Sequence, residues 1–172
     1  MRAGDTIVAV ATAMGESAVG LIRVSGRDAL ATAEPLIRAA EPLADFPSHR
    51  LRRVTVIDPR TGDRLDEALC AVMRAPRSYT GEDVVELSCH GSPALLRIVT
   101  ELLIAAGARL AEPGEFTRRA FLNGRMDLAQ AEAVALMIRA RTERAVALAA
   151  RAMAGGLSSR VSTLRDALLD LI

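Results

Sequence analysis

Hydrophobic positions between Thr6 and Ala111 group into short runs separated by polar, glycine-containing or proline-containing segments. The runs are rich in valine, isoleucine and leucine, and several alternate with polar residues, as is typical of strands in a sheet. The predicted strands cover residues 6–11, 19–24, 51–57, 67–73, 84–89 and 108–111. The segment DPRTGD at 58–63 predicts a tight turn between two of them.

Helical spacing of apolar residues appears twice among these strands. Residues 28–40 predict one helix, which ends near Pro42. A second helix is predicted to begin after Ser92, with Pro93 at its first position and Gly107 just beyond its end. The pattern therefore predicts an α+β fold, a mixed sheet with flanking helices.

The pattern becomes purely helical after residues 112–114 (EPG), which form the best candidate for a domain boundary. We predict a short helix over 116–123 and a long one from Asp127 to about Met153, opened by a capping box of Asp127 and Gln130. A last helix should start at Ser158 or Ser159. The predicted domains are an α+β domain over 1–114 and the beginning of an all-α helical bundle over 115–172.

Composition narrows the possible functions. The chain is 51% hydrophobic with one Tyr, three Phe and no Trp, so an aromatic surface for stacking nucleic-acid bases is not expected. All 22 basic residues are arginines, and the net charge is +1. A phosphate-binding P-loop requires a lysine, so we expect no GTPase activity from this chain alone. No membrane-length apolar run or signal peptide is predicted, and a cytoplasmic location is expected.

Cys70 and Cys89 each lie in an apolar run and are interpreted as buried, reduced thiols. Cys89 and His90 are adjacent, and a metal pair or a nucleophile with its base is one interpretation of them. Adjacent residues of a strand point to opposite faces, however, and the only other histidine is His49. We therefore predict no metal site and no catalytic residue, with a buried Cys89 and a His90 that orders a loop.

Two charged residues interrupt otherwise apolar strands and are candidate ligand contacts. Glu86 lies within VVEL and Arg23 within LIRV. A carboxylate in such a place needs partners, and a flat ligand edge with two N–H donors would supply them. Alternatively, Glu86 pairs with a structural arginine or faces solvent. Arg23 either extends along a sheet edge or directs its guanidinium at an acceptor.

Several long motifs resemble the tRNA-modification GTPases of the MnmE (TrmE) family. They are DTIVA at residues 5–9, GLIRVSG at 20–26, PRSYTGEDVVEL at 76–87 with CHG at 89–91, and EPGEFTRRAFLNG at 112–124 running into DLAQAEA at 127–133. The resemblance extends over essentially the whole chain.

The resemblance implies a fold similar to the tetrahydrofolate-binding domains of T-protein type, followed by a helical domain. It implies homodimerisation and binding of a tetrahydrofolate one-carbon donor, either 5-formyltetrahydrofolate or 5,10-methylenetetrahydrofolate. Together with the flavoprotein MnmG (GidA), the full-length family carries out carboxymethylaminomethyl modification of the wobble uridine in tRNA. GTP, magnesium and potassium belong to a G domain that is absent from these residues.

The family's folate contacts correspond to Arg23, Glu86 and Arg125 in this sequence. Glu86 would accept hydrogen bonds from the pterin edge, while Arg23 and Arg125 would contact acceptors or carboxylates of the ligand. The first loop departs from the family's P-x-G-R-G pattern, since residues 13–17 read AMGES with an acidic Glu16. The alternative functions are an interaction module with a decayed folate site, or a self-contained folate-dependent transferase.

Overall fold

The computed structural model describes residues 4–156 together with Val161 and Leu169. The chain divides into two compact units, Met1–Pro113 and Gly114–Ile172. The final helix predicted from Ser158 or Ser159 lies outside the described residues. The predicted α+β class is confirmed, because the first unit holds a mixed sheet with helices and the described part of the second is helical.

The strands of the first unit form one sheet, and all of them except β3 lie close to the positions that the hydrophobic pattern predicts. They are β1 (Ile7–Val10), β2 (Ser17–Ser25), β3 (Ile37–Arg38), β4 (Leu51–Ile57), β5 (Arg64–Met73), β6 (Val84–Gly91) and β7 (Arg109–Leu110). Their order across the sheet is β3-β4-β5-β6-β2-β1-β7. The β1–β7 pair is parallel and the remaining described pairs are antiparallel, so the sheet is mixed.

One face of this sheet carries the hydrophobic core. Alternate residues of the central strands, such as Ile22, Val72 and Leu87, are fully buried on it. Helices α1 (Ala29–Ala33) and α2 (Pro93–Ala105) contribute small and aliphatic side chains to the same core. The opposite face carries the polar residues of the strands, and the candidate contacts lie there.

The predicted helix over residues 28–40 is wrong beyond its first turns. Helix α1 ends at Ala33, the segment Glu34–Leu36 forms one 3₁₀ turn, and β3 then pairs with β4. Pro35 explains the break, because proline lacks the N–H that a continuing helix needs. The β-branched Ile37 lies opposite Val56 in the sheet instead.

The predicted helix after Ser92 is confirmed as α2. The Ser92 side chain accepts a hydrogen bond from the backbone N–H of Leu95, and Pro93 occupies the first position. Gly107 follows the end of the helix with a positive φ of 112°, a conformation that glycine adopts readily.

The described helices of the second unit are α3 (Glu115–Leu122), α4 (Leu128–Arg139) and α5 (Glu143–Met153). The single helix predicted from Asp127 to Met153 is therefore wrong, although its capping box of Asp127 and Gln130 is confirmed. Thr142 caps α5 by accepting a hydrogen bond from the Ala145 N–H at 3.2 Å. The Gln130 side chain donates to the Met153 carbonyl, so the two helices form an antiparallel hairpin.

Among the described residues, no helix combines the length and the apolar character that crossing a lipid bilayer would require.

Candidate functional site

Arg23 and Glu86 lie directly opposite each other on the neighbouring antiparallel strands β2 and β6. Both side chains project from the open face of the sheet, because their neighbours Ile22 and Leu87 fill the core on the other face. The pair is half-buried, with 24% of the Arg23 side chain and 22% of the Glu86 side chain exposed. The structure thus brings together two of the three predicted contacts.

The Arg23 guanidinium contacts Glu86 through a single carboxylate oxygen. Arg23 Nε donates to Glu86 Oε1 at 2.6 Å, and Arg23 Nη2 lies 2.6 Å from the same atom. Glu86 Oε2 receives no hydrogen bond from the described part of the chain, and it is not sealed from solvent. One oxygen of this carboxylate is therefore available to an external donor.

Small side chains flank the pair in the same row of the sheet. Ala9 on β1 lies opposite Arg23, and Ala71 on β5 lies opposite Glu86. Directly opposed side chains on one face are only about 5 Å apart, so large residues here would cover the pair. The alanines at both positions are too small to cover Arg23 and Glu86 from these two strands.

A loop formed by residues 75–83 covers the end of the open face next to this pair. Ser25, two residues beyond Arg23, is fully buried and contacts Thr80 Oγ1 at 2.7 Å through its hydroxyl group. The same hydroxyl donates to Glu82 Oε2 at 2.8 Å. The backbone adds a bond from the Gly26 N–H to the Asp83 carbonyl at 3.0 Å. These bonds attach the 75–83 loop to the end of β2.

Tyr79 extends from this loop towards the pair. The Cζ atom of Arg23 lies 5.3 Å from the centre of the Tyr79 ring, within the range of a cation–π contact. The hydrophobic pattern gives no indication of this contact, because a tyrosine in a polar loop carries no periodic signal. Tyr79 is the only tyrosine in the chain, and this was the signal in the sequence that could have drawn attention to it.

Arg125, the third predicted contact, belongs to the second unit. It follows the end of α3 in a Schellman motif, in which the Gly124 N–H bonds to the Phe121 carbonyl and the Arg125 N–H to the Ala120 carbonyl. Gly124 adopts a positive φ of 68°, as this motif requires. The backbone of Arg125 is therefore well defined, and its side chain belongs to an exposed residue.

The Cys89–His90 segment is arranged as the alternation of a strand predicts. Cys89 is buried in the core, whereas His90 is exposed on the open face. Asp66 accepts hydrogen bonds from the His90 backbone N–H at 2.9 Å and contacts its Nδ1 at 2.6 Å. In the described part of the chain, no group of three or more His, Cys, Asp or Glu residues is arranged to hold a metal ion.

Both cysteines are free, buried thiols, as the sequence predicts. Burial raises the pKa of Cys70 and of Cys89 to about 12, and nearby negative groups act in the same direction. A nucleophilic cysteine requires a lowered pKa, so these thiols are unsuited to nucleophilic catalysis.

Comparison with known proteins identifies relatives over nearly the whole chain. Residues 6–125 match the family described as GTP-binding protein TrmE N-terminus. The chain is 52% identical over 170 residues to the tRNA modification GTPase MnmE of Symbiobacterium thermophilum, covering 98% of this chain and 37% of that protein. It is 55% identical over 163 residues to the protein of the same name from Geobacter sulfurreducens, covering 95% of this chain and 36% of the relative.

Proposed function

The chain belongs to the TrmE N-terminal family, and from this premise we propose that it binds a tetrahydrofolate derivative in the service of tRNA modification. It spans about 37% of the length of the MnmE relative from Symbiobacterium thermophilum. GTP hydrolysis would accordingly belong to other parts of a full-length protein.

The open Oε2 atom of Glu86 is the observation that carries this proposal. A pterin presents a flat edge with adjacent N–H donors, and a carboxylate oxygen with unused acceptor capacity matches them. Arg23 already occupies Oε1. A donor pair on the ligand would therefore meet Oε2 first, and contact with both oxygens would require Arg23 to share or release Oε1.

The two arginines of the candidate site, Arg23 and Arg125, would donate hydrogen bonds to acceptor groups of the ligand. The Arg23 guanidinium lies beside the carboxylate that would bind the ring, which suits it to acceptors of the heterocycle. By the resemblance to the family, Arg125 would contact acceptors or carboxylates of the ligand. The folate would supply the one-carbon unit, while the residues named here bind and orient it.

Calorimetric titration of the protein with 5-formyltetrahydrofolate tests this proposal. Glu86→Gln keeps the side-chain size and removes the charge, so it should weaken binding about 10- to 100-fold. Glu67→Gln is the matched control, because Glu67 lies on β5 and pairs with Arg53 and Arg64. It changes the net charge equally and should alter affinity less than about twofold. Equal effects of the two variants would refute a specific role of Glu86.

Self-association is the second part of the proposal. The open face exposes the apolar side chains of Val19, Leu51 and Leu69, with 54%, 62% and 43% of their surfaces accessible. Such residues support a role in forming a homodimer. Sedimentation equilibrium over a range of protein concentrations would measure it, and a monomer at all concentrations would contradict it.

A protein-interaction module with a decayed folate site is the competing function. The acidic Glu16 in the first loop, where the family pattern has a basic residue, favours it. A dimer that shows no saturable binding at millimolar 5-formyltetrahydrofolate would support this alternative and exclude the ligand proposal.

For the full-length protein we propose the activity of its relatives, modification of the wobble uridine of tRNA at carbon 5 together with the flavoprotein MnmG. Co-purification of MnmG with a full-length protein that carries this N-terminal part would test the partnership. Loss of the modified uridine on deletion of the gene would test the role in tRNA modification.

A further inference from the structure

Tyr79 contacts Arg23 of the candidate site from the 75–83 loop and not from a strand of the sheet. Within the sheet, Arg23 contacts Glu86 on the neighbouring strand β6. The 75–83 loop adds the Tyr79 ring, whose centre lies 5.3 Å from the Arg23 Cζ atom. The guanidinium is thus held along one edge by Glu86 Oε1 and faced by the Tyr79 ring.

The segment that carries Tyr79 is held firmly in place. Its neighbour Thr80 is fully buried and contacts Ser25 Oγ, while Ser78 Oγ donates to the Glu82 carbonyl at 2.5 Å. At the start of the loop, the Ala75 N–H donates to Asp83 Oδ1 at 2.8 Å. Because both neighbours of Tyr79 are hydrogen-bonded, the loop fixes the backbone from which its ring extends.

An arginine side chain has many rotamers, and ordering it costs conformational entropy whenever a ligand requires one of them. The hydrogen bond to Glu86 Oε1 and the position of the guanidinium over the Tyr79 ring restrict those rotamers before a ligand binds. We propose that Tyr79 is a positioning residue, which holds the Arg23 guanidinium against Glu86 Oε1 and so leaves Oε2 directed at the ligand. This inference rests on the proposed folate site.

Two substitutions separate the aromatic face from the bulk of the side chain. Tyr79→Phe keeps the ring and should leave the affinity for 5-formyltetrahydrofolate within about twofold of the native protein. Tyr79→Leu keeps an apolar side chain but lacks the ring quadrupole. It should weaken binding roughly 3- to 30-fold, measured by calorimetry.

An NMR measurement on the ligand-free protein reports the contact independently of binding. The Nε–Hε resonance of Arg23, identified by its absence in Arg23→Gln, should show a ring-current shift in the native protein and in Tyr79→Phe. The shift should disappear in Tyr79→Leu. Urea unfolding curves of all variants would confirm that the leucine variant is folded.

The outcomes distinguish this inference from the proposed function. If the native protein binds the ligand and folded Tyr79→Leu binds equally well, the positioning role is refuted and the folate site stands. If Tyr79→Phe loses affinity as strongly as Tyr79→Leu, the hydroxyl group is responsible and the aromatic-face argument fails. If the native protein shows no binding, the proposed function and the inference fall together.

Discussion

Replacement of Ser25 by alanine tests how strongly the 75–83 loop is attached to β2. The Ser25 hydroxyl contacts the neutral Thr80 Oγ1 at 2.7 Å and the Glu82 carboxylate at 2.8 Å. A neutral hydrogen bond contributes about 0.5–1.5 kcal/mol and one to a charged group about 1.5–3 kcal/mol. Ser25 is fully buried, so water cannot easily replace the lost hydroxyl. We therefore expect Ser25→Ala to lower the free energy of unfolding by about 2–4 kcal/mol.

Urea denaturation is the appropriate assay, followed by tyrosine fluorescence. Tyr79 is the only tyrosine and there is no tryptophan, so the signal comes from the 75–83 loop itself. Ser88→Ala provides the control, because Ser88 is a half-buried serine of β6 with no side-chain hydrogen bond in the described part of the chain. Its effect should stay below about 0.5 kcal/mol. A Ser25→Ala variant no less stable than Ser88→Ala would refute the attachment.

Two further predictions concern pH. Burial keeps the Cys70 and Cys89 thiols protonated to about pH 12, whereas an unfolded thiol has a pKa of 9.0. The stability that the two protonated thiols contribute should be complete below pH 9 and should decline as the pH rises towards 12. In the variant with both cysteines replaced by alanine, the free energy of unfolding should fall less steeply over this pH range, as measured by urea denaturation at each pH. Burial opposes ionisation of Asp66, but hydrogen bonds from His90 and Glu67 outweigh it and lower its pKa below 3.8. The stability that the ionised Asp66 contributes should therefore be lost as the pH falls below that value. Asp66→Asn should unfold at a less acidic pH than the native protein. An unchanged midpoint of acid unfolding would contradict this prediction.

The hydrophobic pattern predicted β1, β2, β4, β5 and β6 well, because each has one face in a continuous core and therefore a strong apolar signal, whereas it assigned β3 to a helix. The helix errors have local causes. A stripe of apolar residues continued through Pro35, which ended α1, and through Thr142, which instead began a new helix by capping it. In both places the prediction followed the spacing of apolar residues and disregarded a residue that ends or begins a helix.

The candidate site was only partly predictable. Arg23 and Glu86 attract notice as charges within apolar strands, yet their pairing depends on β2 and β6 being neighbours, and these strands are separated by three others along the chain. No periodicity reveals that adjacency or its register. The approach of Tyr79 depends on hydrogen bonds between a loop and a distant strand, which leave no pattern in the sequence.

The order of strands in the sheet also bears on how the protein is made. The β1–β2 hairpin is synthesised before β6, its partner on the other side of β2, which is completed only at Gly91. Until then the outer edge of β2, including the segment around Arg23, has no strand beside it and can pair with other chains. A nascent chain that stalls before Val84 should therefore be prone to aggregation. Once β6 is synthesised, it should pair with this edge of β2 and place Glu86 opposite Arg23, the pair on which ligand binding is proposed to depend.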